Sequence, residues 1–291
     1  MKKIIVIVGP TGVGKTKLSV KLAKKIKGEI INADSMQVYS GLDIGTAKIK
    51  EVEKDGVKHH LFDIVNVYDN YTIYNYQKDA RKTISDIVRK RKTPIFVGGS
   101  GLYIKAALYD YKLVNEKFHS EFTDLTNEEI LNEIKKYHDT DIHVNNRKRL
   151  VRELNKIKNN SNNISNINEP LYDIVIIGLT TDRNKLYKII DERVDRMIKD
   201  GLIKEVKELY DDNVRSKAIE TGIGYKELYK YFDGEITFDE AIDLIKKNSR
   251  NFAKRQYTFF NNQMDVKWFN VDFDNFDSTI NDVYDYIANI K

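Results

Sequence analysis

The feature that most constrains this chain is a short apolar run followed at once by a glycine-rich loop. Residues 4–8 are Ile-Ile-Val-Ile-Val, and the next eight residues follow the pattern G-x-x-x-x-G-K-[ST]. These eight are Gly9, Pro10, Thr11, Gly12, Val13, Gly14, Lys15 and Thr16. An amphipathic helical pattern over 15–27, closed by Gly28, completes a strand–loop–helix unit.

Such a loop binds phosphate because its backbone N–H groups converge on phosphate oxygens at the positive end of a helix dipole. Lys15 would add a point charge, and Thr16 would place a hydroxyl near a bound Mg²⁺. An ordinary glycine turn is the alternative, and the flanking strand and helix patterns disfavour it. The sequence therefore predicts a phosphorylated ligand, and a nucleotide such as ATP is the default candidate.

Apolar strand patterns alternate with helical patterns through the first part of the chain. Strands are predicted at 4–8, 29–33, 95–98 and 172–179, with a weaker one at 60–65. Helices are predicted at 15–27 and at 72–91, the second with Thr72 as its N-cap. This alternation predicts an α/β fold, a P-loop NTPase-like parallel sheet flanked by helices.

The middle of the chain interrupts that alternation. Residues 112–140 are polar and contain Thr126-Asn127-Glu128-Glu129, a capping-box pattern. We predict a small helical insertion subdomain at 112–140, within a core formed by 1–111 and 141–291. The Asn-rich tract 159–168 predicts a flexible surface loop. Further helices are predicted at 182–199, 202–212, 224–232, 238–261 and 275–290, which form a helical C-terminal region.

Composition excludes several classes of protein. The 49 Lys and Arg against 44 Asp and Glu give a net charge of +5, which permits nucleic-acid binding without demonstrating it. The absence of cysteine excludes disulfides, thiolate metal sites and a cysteine nucleophile. The early first strand leaves no room for a signal peptide, and no apolar run reaches the roughly 18 residues of a membrane helix. We expect a monomeric cytoplasmic protein with no membrane partner.

The acidic residue that most phosphate-loop NTPases carry at the end of a second apolar strand is missing. There it completes the Mg²⁺ shell. The candidate strand at 94–97 runs instead into Gly98-Gly99-Ser100-Gly101. This departure disfavours motor ATPases and GTPases, and leaves small-molecule kinases and P-loop transferases.

A carboxylate does follow another predicted strand, at Asp34. The carboxyl ends of parallel strands form the ligand crevice of such folds. Because the second strand commonly neighbours the first, we expect Asp34 near the phosphate loop, where it could orient Mg²⁺ or accept a proton. A turn or helix-cap aspartate is an equally good interpretation of this position alone.

Basic residues concentrate in two helical segments. The first contains Arg147, Lys148, Arg149 and Arg152, and the second contains Lys246, Lys247, Arg250, Lys254 and Arg255. Amide and aromatic side chains interleave with the second cluster, as suits a phosphate backbone with unstacked bases. A solvated helix face is the commoner explanation of such clusters.

The motifs, taken in order, resemble those of the tRNA dimethylallyltransferases, the bacterial tRNA isopentenyltransferase family. They are GPTGVGKT at 9–16, INADSMQVYSGLDIGTAK at 31–48, HHLFDI at 59–64, GGSGLYIKA at 98–106, RKRLVREL at 147–154, GLTTDRNKLYKIIDERVDRMIKDGLIKEV at 178–206, TGIGYKEL at 221–228 and AKRQYTFF at 253–260. The phosphate loop alone is shared by many families, whereas this ordered combination spans almost the whole chain.

The resemblance implies transfer of a dimethylallyl group from dimethylallyl diphosphate to N6 of the adenosine 3′ of the anticodon in tRNA. Diphosphate is released, so the loop would hold a leaving group and would need no acid after the strand at 94–97. Lys15, the loop amides and a Mg²⁺ cofactor near Thr16 would stabilise its charge. A small-molecule or nucleoside kinase using ATP is the alternative, and a non-catalytic, nucleotide-dependent RNA-binding protein is a second one.

The resemblance also implies roles for individual residues. Asp34 becomes the general base for the adenosine amine, and Thr11 and Arg193 match positions associated with the diphosphate and the reaction channel. The stretches that match tRNA contacts, here to the anticodon stem-loop, are Asp34, Ser35, Met36 and Gln37; Ser100, which stands where the family usually has Thr; Lys148, Arg149, Leu150, Val151 and Arg152; and Gly222, Ile223, Gly224, Tyr225, Lys226 and Glu227. The adenosine would have to leave the anticodon stack.

Overall fold

The computed structural model describes residues 3–111, 113, 122, 124–159 and 169–290. Within them, six parallel strands form one sheet in the order β3-β2-β4-β1-β5-β6. The strands are β1 Ile4–Val8, β2 Gly28–Asn32, β3 His59–His60, β4 Thr93–Val97, β5 Ile174–Thr180 and β6 Lys267–Asn270.

The described residues contain the predicted helices and three that were not predicted, at 51–54, 101–108 and 217–221. The helices are α1 Lys15–Ile26, α2 Glu51–Lys54, α3 Ile73–Arg89, α4 Gly101–Leu108, α5 Asn127–Lys135, α6 Arg147–Lys158, α7 Arg183–Lys199, α8 Leu202–Asp211, α9 Lys217–Thr221, α10 Tyr225–Phe232, α11 Phe238–Gln263 and α12 Phe276–Asn289. The predicted caps of α3 and α5 are confirmed, because the hydroxyls of Thr72 and Thr126 accept hydrogen bonds from Asn75 N and Glu129 N.

The central strand β1 explains why helices cover both faces of the sheet. All five of its residues are buried, and successive side chains point to opposite faces. Ile4, Val6 and Val8 belong to one hydrophobic cluster, whereas Ile5 and Ile7 belong to another. A strand that is apolar on both sides must be covered on both sides, so the predicted parallel α/β fold is confirmed.

Two strands differ from their predictions. β3 has only two residues instead of the predicted 60–65, because Leu61 and Asp63 adopt φ of 62° and 53°, which ends an extended strand. β6, which contains Trp268, was not predicted. It has four residues, and neither of its terminal residues is buried. Its pairing with β5 is long-range and leaves little local pattern.

The chain divides into two compact units. The first comprises residues 1–109 and 170–291, and the second comprises 110–169. The second unit is larger than the predicted 112–140 insertion because it includes α6. Facing apolar residues of α5 and α6 form its core with Phe122; from these helices they are Ile130, Ile134, Leu150, Leu154 and Ile157. Except for Asn159, the predicted loop at 159–168 lies outside the described residues.

A buried carboxylate stabilises the edge of the sheet at β2 and β3. Glu29, 2% exposed, accepts hydrogen bonds from Lys92 Nζ at 2.8 Å and pairs with His60 Nε2 at 2.7 Å. Burial alone would raise the pKa of Glu29, but the bonds to Lys92 and His60 and the charge of Lys90 lower it to about 2. His60 thus has a structural role.

Because the folded pKa of Glu29 is depressed, its contribution to stability is present above pH 4.5, its ordinary pKa, and is lost as pH falls towards 2. We expect Glu29→Gln to lower the free energy of unfolding at pH 7 by about 1–3 kcal/mol. Urea unfolding at pH 7 and pH 3 measures this, with exposed Glu220→Gln as control. The prediction would be wrong if the free energy of unfolding fell by the same amount from pH 7 to pH 3 in the wild type and in Glu29→Gln.

Candidate active site

The candidate site lies at the carboxyl ends of β1, β2 and β4. The expectation that β2 neighbours β1 was wrong, because β4 lies between them and pairs with both. Asp34 is nevertheless electrostatically coupled to the phosphate loop, since its carboxylate acts to raise the pKa of Lys15. The loop after β1 and the carboxylate after β2 therefore share one crevice, as predicted for parallel strands.

The phosphate loop adopts the backbone that its glycines permit. Gly14 precedes α1 with φ of 89°, a conformation that other residues rarely adopt. Lys15 Nζ folds back onto the loop and donates to Gly9 O at 2.9 Å and Pro10 O at 2.7 Å. Thr16 is exposed and Thr11 is half-buried, so neither residue is enclosed in the core.

Two cations and one carboxylate dominate the electrostatics of the site. Burial lowers the pKa of Lys15 to about 7, and the neighbouring charge of Arg193 lowers it further, while Asp34 opposes both. Burial likewise lowers the pKa of Arg193 to about 10, again opposed by Asp34. Lys15 and Arg193 are two desolvated cations beside a single carboxylate, Asp34. An anionic ligand would stabilise their charged forms, so the site favours such a ligand.

Asp34 is held by the residue two positions before it. Asn32 is fully buried and accepts from Asp34 N at 2.9 Å, while its amide donates to Asp34 O at 3.1 Å and Leu61 O at 2.9 Å. Asp34 Oδ1 accepts from Met36 N at 2.9 Å, so the turn interpretation is also correct. Among the described residues no donor pairs with Oδ2, which leaves that oxygen for a substrate donor. Asn32 was not predicted from the sequence, although an amide inside an apolar strand was a usable signal.

Glycine at the end of β4 makes room for the Asp34 turn. A Cβ at Gly98 would lie 2.2 Å from Ala33 O, so no other residue fits there without a shift. Ser100 N then donates to Ala33 O at 3.0 Å, and Ser100 Oγ accepts from Ser35 N at 2.9 Å. The strand end where many NTPases carry an acid is used here to support the segment that contains Asp34.

The remaining predicted tRNA contacts of the first unit differ in exposure. In the stretch 222–227, only Ile223 and Lys226 are partly accessible, and Tyr225 and Glu227 are buried. Glu227 accepts from Gly224 N and Asn248 Nδ2, both at 2.7 Å, which is a structural role. A tRNA contact by the Glu227 or Tyr225 side chain stays a prediction that this burial disfavours.

The two basic clusters also separate into exposed and paired residues. In α11, Lys246 pairs with Asp195 and Arg250 with Asp191, whereas Lys247, Lys254 and Arg255 are exposed. In the second unit, α6 exposes Lys148, Arg149 and Arg152, half-buries Val151 and buries Leu150. Arg147 is used internally, since its guanidinium donates to Leu125 O at 2.7 Å.

The described residues contain no group of three His, Asp or Glu side chains that could hold a metal ion. A Mg²⁺ at the loop would therefore take the Thr16 hydroxyl and complete its shell from phosphate oxygens and water. That is a common arrangement for this ion, which keeps several waters and binds substrate phosphates. The donor set thus fits Mg²⁺ bound together with a diphosphate.

The parallel sheet, the phosphate loop after β1 and the carboxylate after β2 define a P-loop-type group-transfer protein. The model of the IPP transferase family matches residues 37–263. The chain belongs to the IPP transferase family. A tRNA dimethylallyltransferase of Geobacillus thermodenitrificans is 46% identical over 304 residues, which cover 99% of this chain and 96% of that protein. One of Bacillus subtilis is 44% identical over 284 residues, 92% and 90% of the two chains.

Solved structures agree with these relatives. The crystal structure of a full-length tRNA isopentenylpyrophosphate transferase from Bacillus halodurans is 41% identical, with a TM-score of 0.79 over 99% of this chain and 96% of that one. A eukaryotic dimethylallyltransferase acting on tRNA is 28% identical, with a TM-score of 0.84 over 100% and 81%. These relatives do not favour the kinase alternative. In the part of the chain that the structure describes, no helix is long and apolar enough to cross a membrane.

Proposed function

We propose that this protein transfers the dimethylallyl group of dimethylallyl diphosphate to N6 of the adenosine 3′ of the anticodon in tRNA, with release of diphosphate. The observation that carries the proposal is the joint placement of Lys15, Arg193 and Asp34 in one crevice. The cations suit a diphosphate, and the carboxylate suits a proton on a substrate amine.

In the proposed reaction the adenosine N6 attacks the allylic carbon. An N–C bond forms, the allylic C–O bond breaks, and its electron pair leaves with the diphosphate. The proton from N6 goes to Asp34 Oδ2, the oxygen that the turn to Met36 N leaves unused. Lys15 and the loop amides stabilise the charge that grows on the leaving group, and Arg193 on α7 contributes a second positive charge. Thr11 is proposed to contact the diphosphate.

Mg²⁺ is the proposed cofactor, held by the Thr16 hydroxyl and by oxygens of the diphosphate. When bound, it would neutralise phosphate charge and so make the diphosphate a better leaving group. The chain's own residues orient the substrates: the loop grips the diphosphate, and the buried amide of Asn32 fixes the backbone that carries Asp34.

The proposed tRNA partner would meet Ser35, Met36, Gln37 and Ser100 beside Asp34, because base-modifying enzymes take their target base out of the stack. Met36 and Gln37 are half-buried, as an accessible lining requires. The exposed cations of α6 are proposed to contact the RNA backbone. The cytoplasmic location and the monomeric state stay predictions.

The decisive test incubates the protein with Mg²⁺, dimethylallyl diphosphate and unmodified tRNA, followed by mass analysis of the nucleosides. Dimethylallyl-adenosine is the expected product, and it should not form without the diphosphate donor. Phosphate transfer from ATP without any prenylated product would support the kinase alternative. Tight tRNA binding without turnover of either donor would support the RNA-binding alternative.

The α6 cations give a separate prediction about tRNA affinity. Each phosphate contact contributes about 0.7 to the slope of log K against log salt for single-stranded regions. We expect Arg149→Gln with Arg152→Gln to weaken tRNA binding at low salt and to lower that slope by about 1 to 2. The control is Lys136→Gln, which removes an exposed cation of the same unit that is paired with Glu133. An unchanged slope in the double variant would indicate that these arginines form a solvated helix face and do not contact RNA phosphates.

A further inference from the structure

Glu205, on α8, is a carboxylate with four hydrogen-bond donors around it. Its Oε2 accepts from Asp43 N at 3.1 Å and Ile44 N at 2.7 Å. Its Oε1 accepts from Gly45 N at 3.0 Å and from the hydroxyl of Tyr225, a fully buried residue, at 2.6 Å. Successive backbone amides that converge in this way form an anion-binding nest, and here the anion is the protein's own side chain.

The loop that Glu205 holds, residues 42–48, is fixed from its other side by Lys48. The Lys48 side chain is 6% exposed, and its ammonium donates to Tyr39 O at 2.8 Å, Asp43 Oδ1 at 2.6 Å and Asp63 Oδ1 at 2.5 Å. All three ammonium hydrogens thus have acceptors. Two charge-assisted networks, one centred on Glu205 and one on the buried ammonium of Lys48, therefore leave this loop little freedom.

The loop reaches the candidate active site through one carbonyl group. Thr46 O accepts from Gln37 Nε2 at 2.9 Å and from Arg193 Nη2 at 3.4 Å. Arg193 is the residue whose charge lowers the pKa of Lys15 and whose own charge is stabilised by Asp34. The position of Thr46 O therefore helps to determine where the guanidinium lies relative to both.

We propose that Glu205 is a positioning residue for group transfer. Together with the Tyr225 hydroxyl it fixes the nest at 43–45, and through Thr46 O it orients the Arg193 guanidinium in the crevice. This inference rests on the proposed function for its activity readout. It also gives the buried Tyr225 a role that needs no contact with tRNA.

The test compares Glu205→Gln with Glu208→Gln, the same change one turn along α8 at a side chain that is 67% exposed. A glutamine presents an NH₂ group to at least one of the nest donors, so the nest loses charge-assisted bonds. We expect amide hydrogen exchange at 43–47 to accelerate at least about tenfold and kcat to fall by about 10- to 100-fold, with tRNA affinity unchanged. Glu208→Gln should alter none of the three.

Two additional variants separate positioning from loss of folding. Tyr225→Phe removes only one donor and should shift exchange and kcat in the same direction by a smaller factor. In an Arg193→Lys background, Glu205→Gln should lower kcat by a much smaller factor than in the wild type, because the residue through which it acts is already changed. An equal factor in both backgrounds, or wild-type exchange at 43–47 in Glu205→Gln, would overturn the inference.

The failure of the proposed function has a different signature. A wild-type protein that forms no prenylated adenosine contradicts the proposed function, whatever the variants do. An active wild type with Glu205→Gln equal to Glu208→Gln in kcat contradicts the positioning role alone.

Discussion

Replacing Asp34 with Asn is expected to lower the rate of dimethylallyl transfer by at least about a hundredfold while tRNA affinity stays near that of the wild type. The amide oxygen of Asn can still accept from Met36 N, so the turn of the wild-type protein is retained. An amide cannot take up the proton that leaves N6. The substitution therefore removes the base with little change in shape.

Single-turnover prenylation of unmodified tRNA and a separate tRNA-binding titration measure the two quantities. Asp69→Asn, at an exposed position, is the control and should prenylate at the wild-type rate. Unchanged turnover in Asp34→Asn would refute the general-base role. A large loss of tRNA affinity would instead assign Asp34 to substrate binding.

Replacing Lys15 with Met is expected to lower kcat/KM for dimethylallyl diphosphate by about 10²- to 10³-fold, the usual cost of removing one donor to a developing anion. Methionine keeps much of the length of the side chain and removes its charge. The matched control is Lys17→Met, an exposed lysine two residues along the same helix. Steady-state kinetics at saturating tRNA check the result, and equal losses in the two variants would contradict a specific role for Lys15.

The lowered pKa of Lys15 adds a dependence on pH. With a pKa of about 7 before the ligand binds, most of the Lys15 population is neutral at pH 8. A bound polyanion favours the ammonium, so diphosphate binding at pH 8 should take up a proton, and affinity should fall as pH rises above 7. Calorimetry in two buffers of different ionisation enthalpy measures this uptake. Subtracting the proton uptake of Lys15→Met from that of the wild type removes the contribution of the diphosphate's own titration.

The parts of the fold that were predicted correctly are those written in local sequence. β1 is a continuous apolar run, and the caps at Thr72 and Thr126 use partners three residues away. The order of the strands in the sheet could not be predicted from local sequence. Nothing near β2 indicates that β4 separates it from β1, because that choice depends on packing between segments about 65 residues apart.

The candidate site likewise contains residues that local sequence indicates and residues whose role depends on distant segments. The phosphate loop and Asp34 could be proposed from the sequence because the motif and the carboxylate each directly follow a predicted strand. Glu205 could not, since one acidic residue in an amphipathic helix resembles any solvated charge until residues 43–45, about 160 positions earlier, are seen around it. The burial of Tyr225 and Glu227 likewise depends on partners that lie outside their own stretch.

The strand order also sets a length. Because β4 lies between β1 and β2, the loop after β1 and the carboxylate after β2 start about 10 Å apart, two strand spacings rather than one. In the proposed reaction, this gap holds the P–O and O–C bonds of the donor. It also holds an attack distance of about 3 Å between the allylic carbon and N6, and a hydrogen bond of about 3 Å from N6 to Asp34. The proposed path from leaving group to base is therefore about as long as two strand spacings.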